Sequence, residues 1–247
     1  MLALKELLYK MADDQLIYGH RNSEWIGLGP LLEEDISFAS IAQDKVGQSR
    51  VLYNLLHRLG EAEPDTVAFM RNASQFHNAI LVELPCQAYE FALMRHLLFD
   101  EAEAVRFEAL RASSQADLAA FAAKFSGEIK YHTLHARSML KRLLTGSEEA
   151  FTKLQEAFYQ LWPYAGGIFE PSPYEAELSA AGIIEAEQVL QGRWVERISA
   201  FLEPLGIHPD ATLLGHWGGR LGQHSEHLQP MLDEMSEVFR LDPTAEW

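Results

Sequence analysis

The stretch "SGEIKYHTLHAR", residues 126–137, sets Glu128 ahead of His132 and His135 in a run that reads as helix. A carboxylate followed by a histidine is the unit with which four-helix bundles hold a pair of iron or manganese ions. The usual form is Glu-x-x-His, with the imidazole three residues on. Here the third residue after Glu128 is Tyr131, and His132 comes one place late. Residues four apart still share a helix face, so His132 could approach Glu128. A complete site takes one carboxylate from each of four helices. Asp13 or Asp14, Asp44, Asp100 and Glu128 are the inward candidates. Asp14 and Asp44 are 30 residues apart, Asp100 and Glu128 28. Two similar antiparallel pairs would give such near-equal separations, although a chain with 36 acidic residues also meets them by chance.

The second histidine is missing. Gly47 stands third after Asp44 and Gln48 fourth, and three of the four acids are aspartates, one methylene shorter than glutamate. Two irons take about two histidines and four carboxylates. Asp14, Asp44, Asp100, Glu128 and His132 therefore read as the vestige of a metal site, a polar network without metal. A single-metal site and a working di-metal site are the alternatives. Acids left inside a bundle must be paired or protonated. Lys45, Gln48, Arg50, Tyr131 and His132 are the candidate partners.

The elements that must position these residues are helical. Leu4, Leu7, Leu8, Met11 and Ile17 mark one face of a helix over 2–20, which "RNSEWIGLGP" breaks. A second helix is expected over 31–59, stopped by Gly60. A connector with at most a turn of helix leads to Pro85, which suits a first helical turn and predicts a third helix from 85 to about 112. The fourth covers 115–144. Shorter helices follow over 147–164, over 174–203 as one broken helix or two, and over 223–239. The pattern predicts an all-α, ferritin-like four-helix bundle in a single domain, 1–247. Its core spans about 2–144 and a helical C-terminal extension about 147–247. An irregular all-α globule is the alternative.

Composition narrows the classes. Hydrophobic residues at 48% and charged residues at 23% are those of a soluble globular chain. A net charge of −16 repels phosphate backbones and anionic lipid alike, so neither nucleic acid nor membrane is expected as a partner. The single cysteine, Cys86, excludes an intrachain disulfide and is expected as a small buried apolar residue. No signal peptide and no uncharged apolar run of about 18 residues is present, and a cytoplasmic location is expected.

The blocks "EWIGLGPLLEEDISFASIAQDKVGQSR", "FHNAILVELP", "EIKYH" and "GGRLGQHSEHLQPMLDEM" follow one another along the chain. Together they resemble the C-subunit family of the phenylacetyl-CoA ring epoxidase, a multicomponent oxygenase of aerobic phenylacetate breakdown. The resemblance runs from Asp14 to Trp247. It implies a ferritin-like fold and a structural, non-catalytic role beside a paralogous catalytic A subunit, with possible self-association left open. It implies no cofactor and no catalytic residue on this chain, the di-iron centre being on the A subunit. It also implies that the complex takes molecular oxygen and NADPH-derived electrons from a reductase to form the ring 1,2-epoxide. The empty positions Gly47 and Tyr131 agree with that role independently. A stand-alone iron or manganese oxidase using Asp14, Asp44, Asp100, Glu128 and His132, and a metal-storage module, are the competing readings.

"GGRLGQHSEHL" offers a second metal reading through His224, Glu226 and His227. The alternative is that Gly218, Gly219 and Gly222 shape a tight approach, while Ser225 and Glu226 begin the last helix at its positive end. Such a loop also suits a subunit interface. Of Trp25, Trp162, Trp194, Trp217 and Trp247, each is first a core residue, with Trp217 and Trp247 named as interface candidates. Trp247 leans towards a partner contact.

Overall fold

The computed structural model describes residues 1–245, so the Trp247 expectation lies outside the described residues. Four long helices dominate: α1 (Leu2–Ser23), α2 (Leu32–Arg58), α5 (Tyr89–Leu110) and α6 (Ala116–Leu144). Between the pairs lie the short helices α3 (Pro64–Phe69) and α4 (Ile80–Glu83). The shorter elements α7 (Glu148–Ala165), α8 (Glu175–Ala180), α9 (Glu187–Leu202) and α10 (Leu228–Leu241) follow. No strand occurs among the described residues.

α1 packs along α2 and α5 along α6. Both pairs are antiparallel: Tyr53 of α2 meets Asp13 of α1, and Arg137 of α6 meets Glu101 of α5. α2 lies against α6 through Gln48–Glu128 at its middle and Arg58–Asp117 at its end, which closes the bundle. α2 has Glu33, Glu34 and Asp35 in its first turn, where the helix dipole favours them. It ends as Gly60 would require. Gly60 takes φ 92°, its N–H donates to the His57 carbonyl, and the Glu61 N–H donates to the Leu56 carbonyl. Ser147 caps α7 by accepting from the Ala150 N–H at 3.1 Å.

α5 is enclosed by α6, α7 and α9, so most of its residues are buried. Trp162 and Trp194 stack 5.0 Å apart at the seam of α7 and α9. The Trp194 indole N–H donates to the Leu98 carbonyl of α5 at 2.9 Å, satisfying its polar edge inside the core. The extension over 147–241 thus closes the side of α5 that the first two helices leave open.

Two boundaries differ from the sequence expectation. α5 begins at Tyr89, four residues past Pro85. Arg95 explains the delay: its guanidinium donates to the Leu84 carbonyl and, at 2.9 Å, to Cys86 Sγ, holding 84–88 extended. Leu84, before the proline, has the extended backbone proline imposes on its predecessor. Cys86 is accordingly half-buried in this strap rather than a core residue. The last helix begins at Leu228 instead of 223, because residues 224 and 225 are committed to Glu83. Ser225 does not cap a helix starting there; its Oγ accepts from the His227 N–H at 3.3 Å. The 174–203 segment forms two helices, α8 and α9.

Candidate functional site: the polar core of the bundle

Lys45 of α2 points inward across the core to α5, with no exposure of its side chain. Its ammonium lies 2.8 Å from Asp100 Oδ1 and over the rings of Phe99 and Tyr18, 5.1 and 5.8 Å from their centroids. Asp100 Oδ2 meets His96 Nδ1 at 3.1 Å, one turn earlier on α5. Burial opposes ionisation of Asp100, but the Lys45 charge and His96 outweigh it and hold the carboxyl well below the usual range. Burial drives the His96 pKa down to about 4, so its imidazole is neutral at pH 7. His132 Nδ1 lies 3.8 Å from Asp100 Oδ1, and its Nε2 meets Asp44 Oδ2 at 3.0 Å. One turn further along α5, Glu103 accepts from the Gln15 amide of α1. Burial raises the Glu103 pKa to about 7, against the pull of Lys45 and Arg106.

Three further buried acids have cations of their own. Asp14 is bound by Arg220 at 2.7 Å, and the same guanidinium donates to the carbonyls of Ile168, His77 and Lys10. Asp13 receives Arg71 at 2.6 and 3.0 Å, the Tyr53 hydroxyl at 2.6 Å and the His77 N–H at 2.8 Å. Glu187 is held bidentately by Arg106 and contacted by Lys10. Burial disfavours its charge, yet these two cations hold its pKa at about 2.

Of the five residues singled out from sequence, the structure brings Asp44, Asp100 and His132 into one chain of contacts. Asp14 is drawn off to Arg220. Glu128 accepts from Gln48 at 2.8 Å, while the His132 Nε2 goes to Asp44. Lys45, Gln48 and His132 act as the expected partners. Arg50 is exposed, and Tyr131, 44% exposed, turns its hydroxyl towards Ser37. Sequence reasoning missed His96, Glu103 and Arg220. His96 and Asp100 carried a signal, being four apart on one helix. Glu103 is one of several acids on α5 and carried none. Arg220 comes from 206 residues away and is found only in the fold.

This donor set does not fit a metal ion. Asp100 and Asp14 each face a basic side chain, His96 Nδ1 is turned to Asp100, and His132 Nε2 to Asp44. Among the described residues, no three histidine, cysteine or carboxylate side chains converge as ligands. The second candidate, in the C-terminal loop, separates likewise. His224 is buried between Glu83 Oε2 at 2.8 Å and the Phe76 carbonyl at 3.0 Å. Glu226 is exposed, and His227 engages through its backbone, its N–H donating to Ser225 Oγ and its carbonyl accepting from Arg21 at 3.4 Å. The loop is built by close approach. A Cβ added at Gly219 would lie 2.3 Å from the Asn78 carbonyl oxygen, and one at Gly222 2.4 Å from that of Ser74. Trp217 stands 48% exposed beside a groove of about 750 Å³ lined by Phe169, Pro171 and Gln191.

No helix among the described residues is long and apolar enough to cross a membrane. A family profile described as phenylacetic acid catabolic protein matches residues 2–247. The C subunit of the 1,2-phenylacetyl-CoA epoxidase of Escherichia coli (strain K12) is 32% identical over 239 residues, 96% of this chain and 96% of that protein. With its ferritin-like helical bundle and a match over its whole length, the chain belongs to the phenylacetic acid catabolic protein family.

Proposed function

We infer that the chain is a non-catalytic subunit of a cytoplasmic phenylacetyl-CoA 1,2-epoxidase complex, which stabilises a catalytic A subunit that carries the di-iron centre. The observation that carries this reading is the pairing of Lys45 with Asp100 at mid-bundle, which fills the buried centre of the bundle with a basic side chain. A bundle charged with its own lysine and arginines has no need of metal. It can act by packing against the iron-bearing helices of a partner and holding them rigid. Large apolar side chains are exposed for such packing: Ile26, Leu28 and Leu31 in the connection between α1 and α2, Leu32 and Ile36 at the start of α2, and Tyr131 and Leu134 on α6.

The test is iron content and epoxidation with the chain alone, the A subunit alone and the two together. The expected result is less than about a tenth of an iron per copy of this chain, co-purification of the two subunits, and epoxidation only when both are present with their reductase. Two irons per copy of this chain, or full activity of the A subunit without it, overturns the reading.

A further inference from the structure

We propose that the groove between α5, α6 and α9 binds a small anion carrying phosphate groups at two separated positions. The groove holds about 440 Å³ and is distinct from the polar core, since neither Lys45, Asp100 nor His132 lines it. Arg111, Lys130, Arg137 and Arg197 do, against two carboxylates, Glu101 and Glu108. A chain with a net charge of −16 thus gathers an excess of cations in one place. Screening over about 8 Å at physiological ionic strength limits how far the acids elsewhere on the surface weaken that excess.

The four cations differ in how they are held. Arg137 is pinned: its Nε donates to the buried Glu101 carboxylate, and its guanidinium lies over the Phe201 ring, 5.2 Å from the centroid. Its two terminal nitrogens make no hydrogen bond among the described residues. The fork is therefore fixed in place with two donors unspent, as bidentate grip of a phosphate requires. Arg197 is tied to Glu108, but that carboxylate is exposed, and such a pair contributes little and yields easily. Arg111 and Lys130 are exposed and form no ion pair among the described residues. Because α5 and α6 are antiparallel, Arg111 and Lys130 stand at one end of the groove and Arg137 at the other. Lys130 and Arg137 are two turns apart on α6, roughly 10 Å along its axis. Inorganic phosphate reaches only one of these poles. A ligand that reaches both is extended: a chain of phosphates, or a nucleotide phosphorylated at two positions. Phe107 and Ile129 give it an apolar floor.

The experiment is isothermal titration calorimetry of the full chain, at low and at physiological salt, with inorganic phosphate, tripolyphosphate and an adenosine bisphosphate phosphorylated at both ends of its ribose. The expected result is that one of the two extended probes binds one per chain, about 10-fold or more tighter than inorganic phosphate, and weakens as salt is added. Tighter binding of tripolyphosphate identifies an inorganic chain as the occupant, and tighter binding of the bisphosphate a nucleotide. Arg111→Ala and Lys130→Glu change exposed side chains, so the fold is kept, which circular dichroism checks. Each should weaken the extended probe by about 10-fold. Arg137→Lys, which keeps the charge but loses the fork, should weaken it by several-fold. Lys153→Ala, on α7 outside the groove, should leave it unchanged. The proposal is overturned if neither extended probe binds more tightly than inorganic phosphate. It is equally overturned if Lys153→Ala weakens binding as much as Lys130→Glu, because the anion then responds to overall charge and not to this groove.

Discussion

Replacing Glu103 by Gln changes how stability depends on pH, and the size follows from the carboxyl's surroundings. In the folded chain the Glu103 pKa is raised from 4.5 to about 7, chiefly by burial. Between those pH values the folded state holds a proton that the unfolded state has released, so stability falls as pH rises. At about 1.4 kcal/mol per pH unit, the loss approaches roughly 3 kcal/mol by pH 7. Glutamine keeps the shape and can still accept from the Gln15 amide, but has no proton to lose. The wild-type curve alone does not reveal this, because His96 works in the opposite direction. Its pKa is depressed from 6.5 to about 4, so the unfolded state binds the extra proton there and stability rises with pH across that window. The two nearly cancel from pH 4.5 to 6.5. The assay is therefore a difference: urea unfolding of wild type and Glu103→Gln, followed by far-UV circular dichroism at pH 4.5, 5.5, 6.5 and 8. The variant should match wild type at pH 4.5 and exceed it by about 3 kcal/mol at pH 8. A constant offset across the series refutes the assignment of the raised pKa to Glu103.

Further outcomes follow from the same geometry. His96→Gln removes the opposing histidine and leaves Glu103 unbalanced, so the variant's stability should fall by about 3 kcal/mol as pH rises from 4.5 to 6.5 in the same unfolding series, where wild type stays nearly flat. Arg220→Met strands the buried Asp14 carboxylate and should cost about 3–5 kcal/mol. Adding Asp14→Asn should recover much of that loss, as measured by urea midpoints. Gly219→Ala should be strongly destabilising, because its Cβ meets the Asn78 carbonyl at 2.3 Å, and thermal unfolding will show it. Gly47→Ala, in the interior of α2 with open space around the new methyl, should instead gain about 0.5–1 kcal/mol.

The four long helices were legible because apolar spacing and the Gly60 stop are local signals. The start of α5 was not, because Arg95 reaches back to Leu84 and Cys86 and overrides the proline at 85. The same division runs through the polar core. Asp44, Asp100 and His132 could be placed on inward faces from periodicity, but Gly47 and Tyr131, read from spacing as the empty histidine positions, are exposed and face away from the core. Which cation met which acid was hidden. Asp14 and Glu128 sit in the register that a metal site would need, yet Arg220 and Gln48 claim them. The glycine-rich C-terminal segment drew attention to its histidines, whereas its arginine is the residue that enters the core. Long-range electrostatic pairing has no period along a chain, so it leaves no pattern to read.

The bond between Asp14 and Arg220 also sets a timetable. A ribosome adding about 5–20 residues per second needs roughly 10–40 s to extend the chain from one to the other. Through that interval α1 has its apolar face and the following helices, but Asp14 has no counter-ion. The N-terminal pair can collapse early, yet it cannot lock until the "GGRLG" segment emerges and threads its guanidinium between α1 and the 77–80 connector. A nascent chain truncated anywhere before residue 220 is therefore left with an unneutralised acid in its core.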